Sequence, residues 1–137
     1  MVDRARILAL IDVVEQHVRH VETLTPRVFD AYAGDTRTRL AVERALQVAI
    51  EAIVDAAALV AAGKRIGLPA DEETVAGGLQ RAGCLDEGEA KLLGELRRFR
   101  NVLVHQYGVL DDRRVHLHAL DAPDALRRLT VALRRCL

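Results

Sequence analysis

Aromatic residues are scarce: two Tyr, two Phe and no Trp in 137 residues. A core without them must come from Leu, Val, Ile and Ala, and an Ala-rich aliphatic chain favours helices over a β-sandwich. Cysteine is almost as rare. Cys84 and Cys136 stand alone with no metal-ligand spacing, so they suggest neither a disulfide framework nor a zinc site. No apolar run approaches the roughly 20 residues of a membrane span, so no membrane segment is expected. The opening "MVDRARILALIDVVEQH" carries charges throughout and lacks a signal-peptide pattern, which makes a cytoplasmic location the expectation. A Gly-rich phosphate loop, a carboxylate pair in a metal pattern and a G-x-S-x-G turn are also missing. No stretch sustains β alternation, and no internal repeat is visible.

What is present fits one domain over 1–137. Half of the residues are apolar, enough for a single core. Net charge is zero, but it is unevenly spread. Residues 1–96 hold 11 Lys/Arg against 16 Asp/Glu, and residues 97–137 hold 9 Arg against 4 Asp. An evenly basic nucleic-acid binder is thereby excluded. The basic last third reads either as a local anion site or as an Arg-rich solvated helix face.

Ile7, Ile11, Val14, Val18 and Val21 repeat at 4-3-4-3 spacing, one stripe of a long helix over roughly 3–32 that Pro26 should kink or break. Gly34 reads as a stop and Asp35 or Thr36 as the next start. A second helix over roughly 36–62 has an apolar stripe through Leu46, Ile50, Ile53, Ala57 and Val60. It has a small-residue stripe through Ala41, Ala45, Ala49, Ala52 and Ala56, so it should pack on more than one neighbour. Gly63, Gly67 and Pro69 end it, and Asp71 can cap a short helix to about 82. Asp86 with Glu89 is a capping pattern for a helix to about 105, with Gly108 as its stop. The remainder gives one or two helices. Asp111 and Asp112 serve as caps, and Asp121 and Pro123 mark a second start. The sum is an all-α, up-and-down bundle of about five helices.

The chemistry concentrates in "RFRNVLVHQYGVLDD". On a helix turning about 100° per residue, Arg100 falls on the apolar face of Leu93, Leu96, Phe99, Leu103 and Val104, while His105 points about 140° away. A charge on such a face is either a buried ion pair, with Glu43, Glu51 or Asp55 as candidate partners, or an anion site, since guanidinium grips phosphate with two prongs. His105 can interact with terminal helix carbonyls, hydrogen-bond to Asn101 one turn back, or act as a general acid or base. The two converge if the helix loosens before Gly108, or across a two-fold axis. His116 and His118 lack a carboxylate at metal spacing and read as surface or partly buried residues.

"RNVLVHQY" matches the R-x-x-x-x-H-x-Y signature of the HepT-like toxins of the HEPN superfamily. The resemblance extends to "AVERALQVAIEAIVDAAALVAAGKRIGLP" and "LQRAGCLDEGEAKLLGELRRFRNVLVHQYGVLDDRRVH", and covers roughly residues 1–130. It implies a HEPN-type bundle that dimerises around its motif. It also implies a metal-independent, cofactor-free endoribonuclease, the toxin of a type VII toxin–antitoxin pair. Carried across, Arg100 and His105 are the catalytic pair, Asn101 supports them, and Tyr107 receives AMP from an MntA-like minimal nucleotidyltransferase antitoxin. The implied partners are RNA, that antitoxin and a second copy of the chain. The contrasting reading is a non-catalytic helical module that binds a nucleotide or a partner.

Overall fold

All five members of the first stripe, Ile7, Ile11, Val14, Val18 and Val21, are buried on one helix, α1 (Arg4–Leu24). The computed structural model describes residues 2–64, 72–105 and 110–137. Asp3 caps α1 by accepting from the Arg6 N–H. The helix does not reach residue 32. Thr25 is extended, as the ring of a following proline requires, and the chain breaks at Pro26 before a five-residue turn, α2 (Phe29–Ala33).

Asp35 caps α3 (Thr36–Gly63), accepting from the N–H groups of Arg37 and Thr38. Both stripes of this helix are used. Leu46, Ile50, Ile53, Ala57 and Val60 are buried, and so are Ala45, Ala49, Ala52 and Ala56. α3 packs against each of the other five helices, because a helix apolar all round belongs in the centre. By length and composition α3 is apolar enough to cross a membrane, contrary to the expectation from charge-free runs. Its most apolar window has a mean hydropathy of 1.8, and 61% of that window is buried inside the bundle.

α4 (Glu72–Arg81) turns into α5 (Glu87–His105) through Gly83, whose φ of 81° lies in the left-handed region. The N–H groups of Cys84 and Leu85 both donate back to the Leu79 carbonyl, closing the helix end. The expected capping box forms: the Glu89 N–H donates to Asp86 Oδ1 at 2.7 Å, and the Asp86 N–H to Glu89 Oε1 at 2.9 Å. Gly67, Pro69, Asp71, Tyr107 and Gly108 lie outside the described residues.

The last section is one helix, α6 (Asp112–Arg135), capped by Asp111 through the N–H groups of Arg113 and Arg114. Asp121 and Pro123 do not start a new helix. Pro123 sits inside α6, buried between Ala119, Ala122 and Leu126. An interior proline removes one backbone bond and costs about 3 kcal/mol, and the burial of this long apolar face offsets that loss. The described residues thus form six helices rather than about five. Cys84, in the α4–α5 turn, and Cys136, after α6, are joined as a disulfide with Cα atoms 5.6 Å apart. Their 52-residue separation gives no hint of this in sequence, because only helix packing brings the two ends together.

Part of the charge asymmetry is met inside the molecule. Arg127 binds Glu22 and Arg134 binds Glu15, tying α6 to α1. Arg128 meets Asp86 and Glu89, and Arg135 meets Glu89, tying α6 to the start of α5. Arg113 lies over the Phe29 ring at 4.1 Å.

Candidate functional site

α5 carries Arg100, Asn101 and His105 of the motif on a helix that persists through His105. Leu93, Leu96 and Phe99 are buried, and Leu103 packs against the core. Arg100 is half-buried beside them, and its Nε donates to Asn101 Oδ1 at 3.2 Å. The Asn101 amide thus holds one edge of the guanidinium. His105 is exposed. With no loosening of α5 before that point, the side chains of Arg100 and His105 leave the helix about 140° apart. One chain does not bring them together. Of the acids expected near Arg100, Glu51 accepts from Gln47 at 3.2 Å, and Glu43 faces Asp112 and Arg39.

α6 supports the motif from below. The His118 imidazole stacks on Phe99, next in the chain to Arg100, with centroids 3.8 Å apart and planes at 16°. Burial holds the His118 pKa below its ordinary value and Arg114 adds to this, against weaker opposition from Asp121 and Glu95. His116, expected at most partly buried, is fully inside. Its Nε2 lies 2.6 Å from the Pro26 carbonyl, and its ring stacks on Tyr32 at 5.1 Å. The break at Pro26 frees that carbonyl from helical bonding, which makes a buried imidazole affordable there. The Tyr32 hydroxyl is buried without a hydrogen-bond partner among the described residues. Burial raises its pKa, and the Glu43 and Asp112 charges raise it further. Glu43 is raised for the same two reasons, desolvation first and then Asp112, whose other neighbour is Arg39 at 3.8 Å. This packed corner fixes the first turns of α6, directly after the motif.

Two features escaped the sequence reading. One is the Phe99–His118 stack, which joins residues on different helices. The other is a groove of about 450 Å³ between α4 and α5, walled in part by Lys91 and Arg98. Its signal was available: Lys91, Gly94, Arg98, Asn101 and His105 follow 3-4-3-4 spacing. Among the described residues, no group of three or more His, Cys, Asp or Glu gathers in a way that could hold a metal ion.

The family model for HepT-like ribonucleases matches residues 14–132, and the chain belongs to that family. Among solved structures it is similar to the tri-AMPylated HEPN toxin of Shewanella oneidensis in complex with its MNT antitoxin. The TM-score is 0.85 at 17% identity, over 98% of this chain and 99% of that one. A toxin–antitoxin structure with AMP-PNP aligns at a TM-score of 0.84 and 16% identity, over 97% and 99% of the two chains. The cytosolic protein YutE of Bacillus subtilis, of unknown function, aligns at 0.82 and 22%, over 98% and 90%. No curated protein matches the sequence. At these identities the structural likeness establishes the HEPN-toxin fold.

Proposed function

We propose that this protein is the toxin of a toxin–antitoxin pair, an endoribonuclease that cuts RNA at a cleft between two copies of the chain. The observation that carries this reading is the intact R-x-x-x-x-H-x-Y motif, Arg100, His105 and Tyr107, in a chain of the HepT-like ribonuclease family. RNA carries its own nucleophile, the 2′-hydroxyl. His105 transfers the proton as that oxygen attacks the adjacent phosphorus or as the 5′-oxygen departs. Arg100, oriented by Asn101, stabilises the charge that develops on the phosphorane. The products are a 2′,3′-cyclic phosphate and a free 5′-hydroxyl, with no metal in the scheme. The divergence of Arg100 and His105 within one chain favours a composite site, to which each protomer of a homodimer contributes.

Cleavage of a labelled single-stranded RNA tests the assignment. Arg100→Ala and His105→Ala should each lower the rate by about 10²–10⁴, with unchanged far-UV circular dichroism. Wild-type rates for either variant refute its role. A second measurement addresses the antitoxin. A minimal nucleotidyltransferase of the MntA type transfers AMP to the Tyr107 hydroxyl in this reading, placing a phosphodiester charge and an adenosine beside the RNA phosphate site. Intact-mass spectrometry after incubation with that partner and ATP should show added AMP on the wild type and none on Tyr107→Phe. Equal labelling of both would sink the assignment.

A further inference from the structure

His118 has no part in the chemistry assigned so far, yet it touches the residue next to Arg100. Its imidazole lies face to face on the Phe99 ring, with centroids 3.8 Å apart and planes 16° from parallel. Phe99 is buried and directly precedes Arg100. Arg100, Asn101, His105 and Tyr107 all fall between Phe99 and His118 in the chain, so the stack closes the segment that carries the whole motif.

The platform beneath the stack is held firmly. His116, two residues before His118, is buried with its Nε2 2.6 Å from the Pro26 carbonyl and its ring on Tyr32. Ala119, the next residue, is also buried. Farther along α6, Arg127 and Arg134 tie the helix to Glu22 and Glu15 of α1. Burial, helped by the Arg114 charge, lowers the His118 pKa, so an uncharged ring packs on Phe99 at neutral pH.

Phe99 and Arg100 leave α5 about 100° apart, and the helix turns as a unit. A rotation of α5 that swings Arg100 therefore carries Phe99 through the same angle, off the face of a ring that is itself anchored. The 3.2 Å bond from Arg100 Nε to Asn101 Oδ1 sets the guanidinium relative to α5. It does not set how α5 is turned within the bundle. On the side of α6, the stack does.

We infer that His118 is a positioning residue for RNA cleavage: through Phe99 it fixes the rotation of α5 and so the direction of Arg100. It touches no reacting atom in this role. The inference rests on the ribonuclease reading for its reaction. In that reading Arg100 stabilises charge that develops only in the transition state, so a misdirected guanidinium lowers kcat and leaves KM near its value. A misplacement of about 1 Å can cost about 10²-fold in rate.

Cleavage of a labelled single-stranded RNA by wild type, His118→Ala, His118→Phe, Arg100→Ala and the double variant Arg100→Ala/His118→Ala tests this, with folding of each checked by far-UV circular dichroism. His118→Ala should lower kcat by about 10- to 100-fold with little change in KM. His118→Phe returns a flat ring to the face of Phe99 and should recover most of the rate. The double variant should be no slower than Arg100→Ala alone, because a residue that acts through Arg100 then has nothing left to position. A general loss of structure would multiply the two effects instead. Should His118→Ala not fold, His118→Leu carries the same test, since it keeps apolar volume but has no flat face. Wild-type cleavage by the Ala or Leu variant overturns the inference. So does a His118→Phe variant as slow as His118→Ala, and so do multiplied losses in the double variant. A wild type that cuts no RNA is a separate result: it removes the ribonuclease reading itself, and this role with it.

Discussion

Residue by residue, the histidines divide by environment rather than by spacing. His105 is exposed at the end of α5, His116 is buried against a carbonyl, and His118 is sandwiched on Phe99. The last has a thermodynamic signature. In the unfolded chain His118 takes up a proton near the ordinary imidazole value of about 6.5, and in the folded chain only at lower pH. Between those values the unfolded state binds more protons, so stability is full above the unfolded pKa and declines as pH falls through that window. Urea midpoints measured at about pH 7.5 and 5 should fall further for wild type than for His118→Phe, which keeps a ring against Phe99 but cannot be protonated. An identical fall in both would show that His118 contributes nothing to the pH dependence. Arg100 and His105 were legible at this scale because their residue types and spacing are themselves the signature. The Phe99–His118 stack was not, because neither residue carries information about the other.

At the scale of the element, helix starts are written in aspartate. Asp3, Asp35, Asp86 and Asp111 each cap the helix that follows. A carboxylate that accepts from otherwise orphaned N–H groups works through local geometry, so these starts can be read without tertiary context. Stops are less legible. Gly83 ends α4 at positive φ, where a side chain is disfavoured by about 1–2 kcal/mol. No atom lies within 4 Å of a Cβ built there, so the cost of Gly83→Ala is conformational rather than steric. Gly83→Ala should lower the urea midpoint by an amount equivalent to about 1 kcal/mol with an unchanged m-value, while Gly94→Ala, half-buried within α5 with only the flexible end of Arg98 beside an added Cβ, should not. Pro26 and Pro123 show why proline alone misleads. Pro26 ends a helix: Thr25 before it is extended, and the chain turns before α2 begins at Phe29. Pro123 is carried through α6 because buried residues on both sides hold the helix in place.

For the whole molecule, the excess negative charge of the first part and the excess positive charge of the last are brought together by α6 lying against α1 and α5. If the active cleft combines Arg100 of one protomer with His105 of its partner, two dead variants complement each other. Equal mixing of Arg100→Ala and His105→Ala after subunit exchange should restore about one quarter of wild-type cleavage, since half of the dimers are mixed and each holds one intact composite site. Light scattering should show a dimer in every sample. A stable active monomer, or a mixture as inactive as its components, would exclude the shared site.

The sequence by itself determined the all-α class, the positions of most helices, their aspartate caps, the stripes that face the core and the motif on α5. These follow from periodicity and local hydrogen bonding, which act over a few residues and leave their marks in order along the chain. The tertiary structure decided the rest. It placed α3 at the centre of the bundle, kept α6 continuous through Pro123 and buried His116. It also brought Cys84 to Cys136 across 52 residues, set Arg127, Arg128, Arg134 and Arg135 against acids of the first two thirds, and opened a groove beside the motif. Each of these depends on contacts between residues far apart in the chain. Burial and charge pairing are properties of the packed molecule, and no local pattern records them.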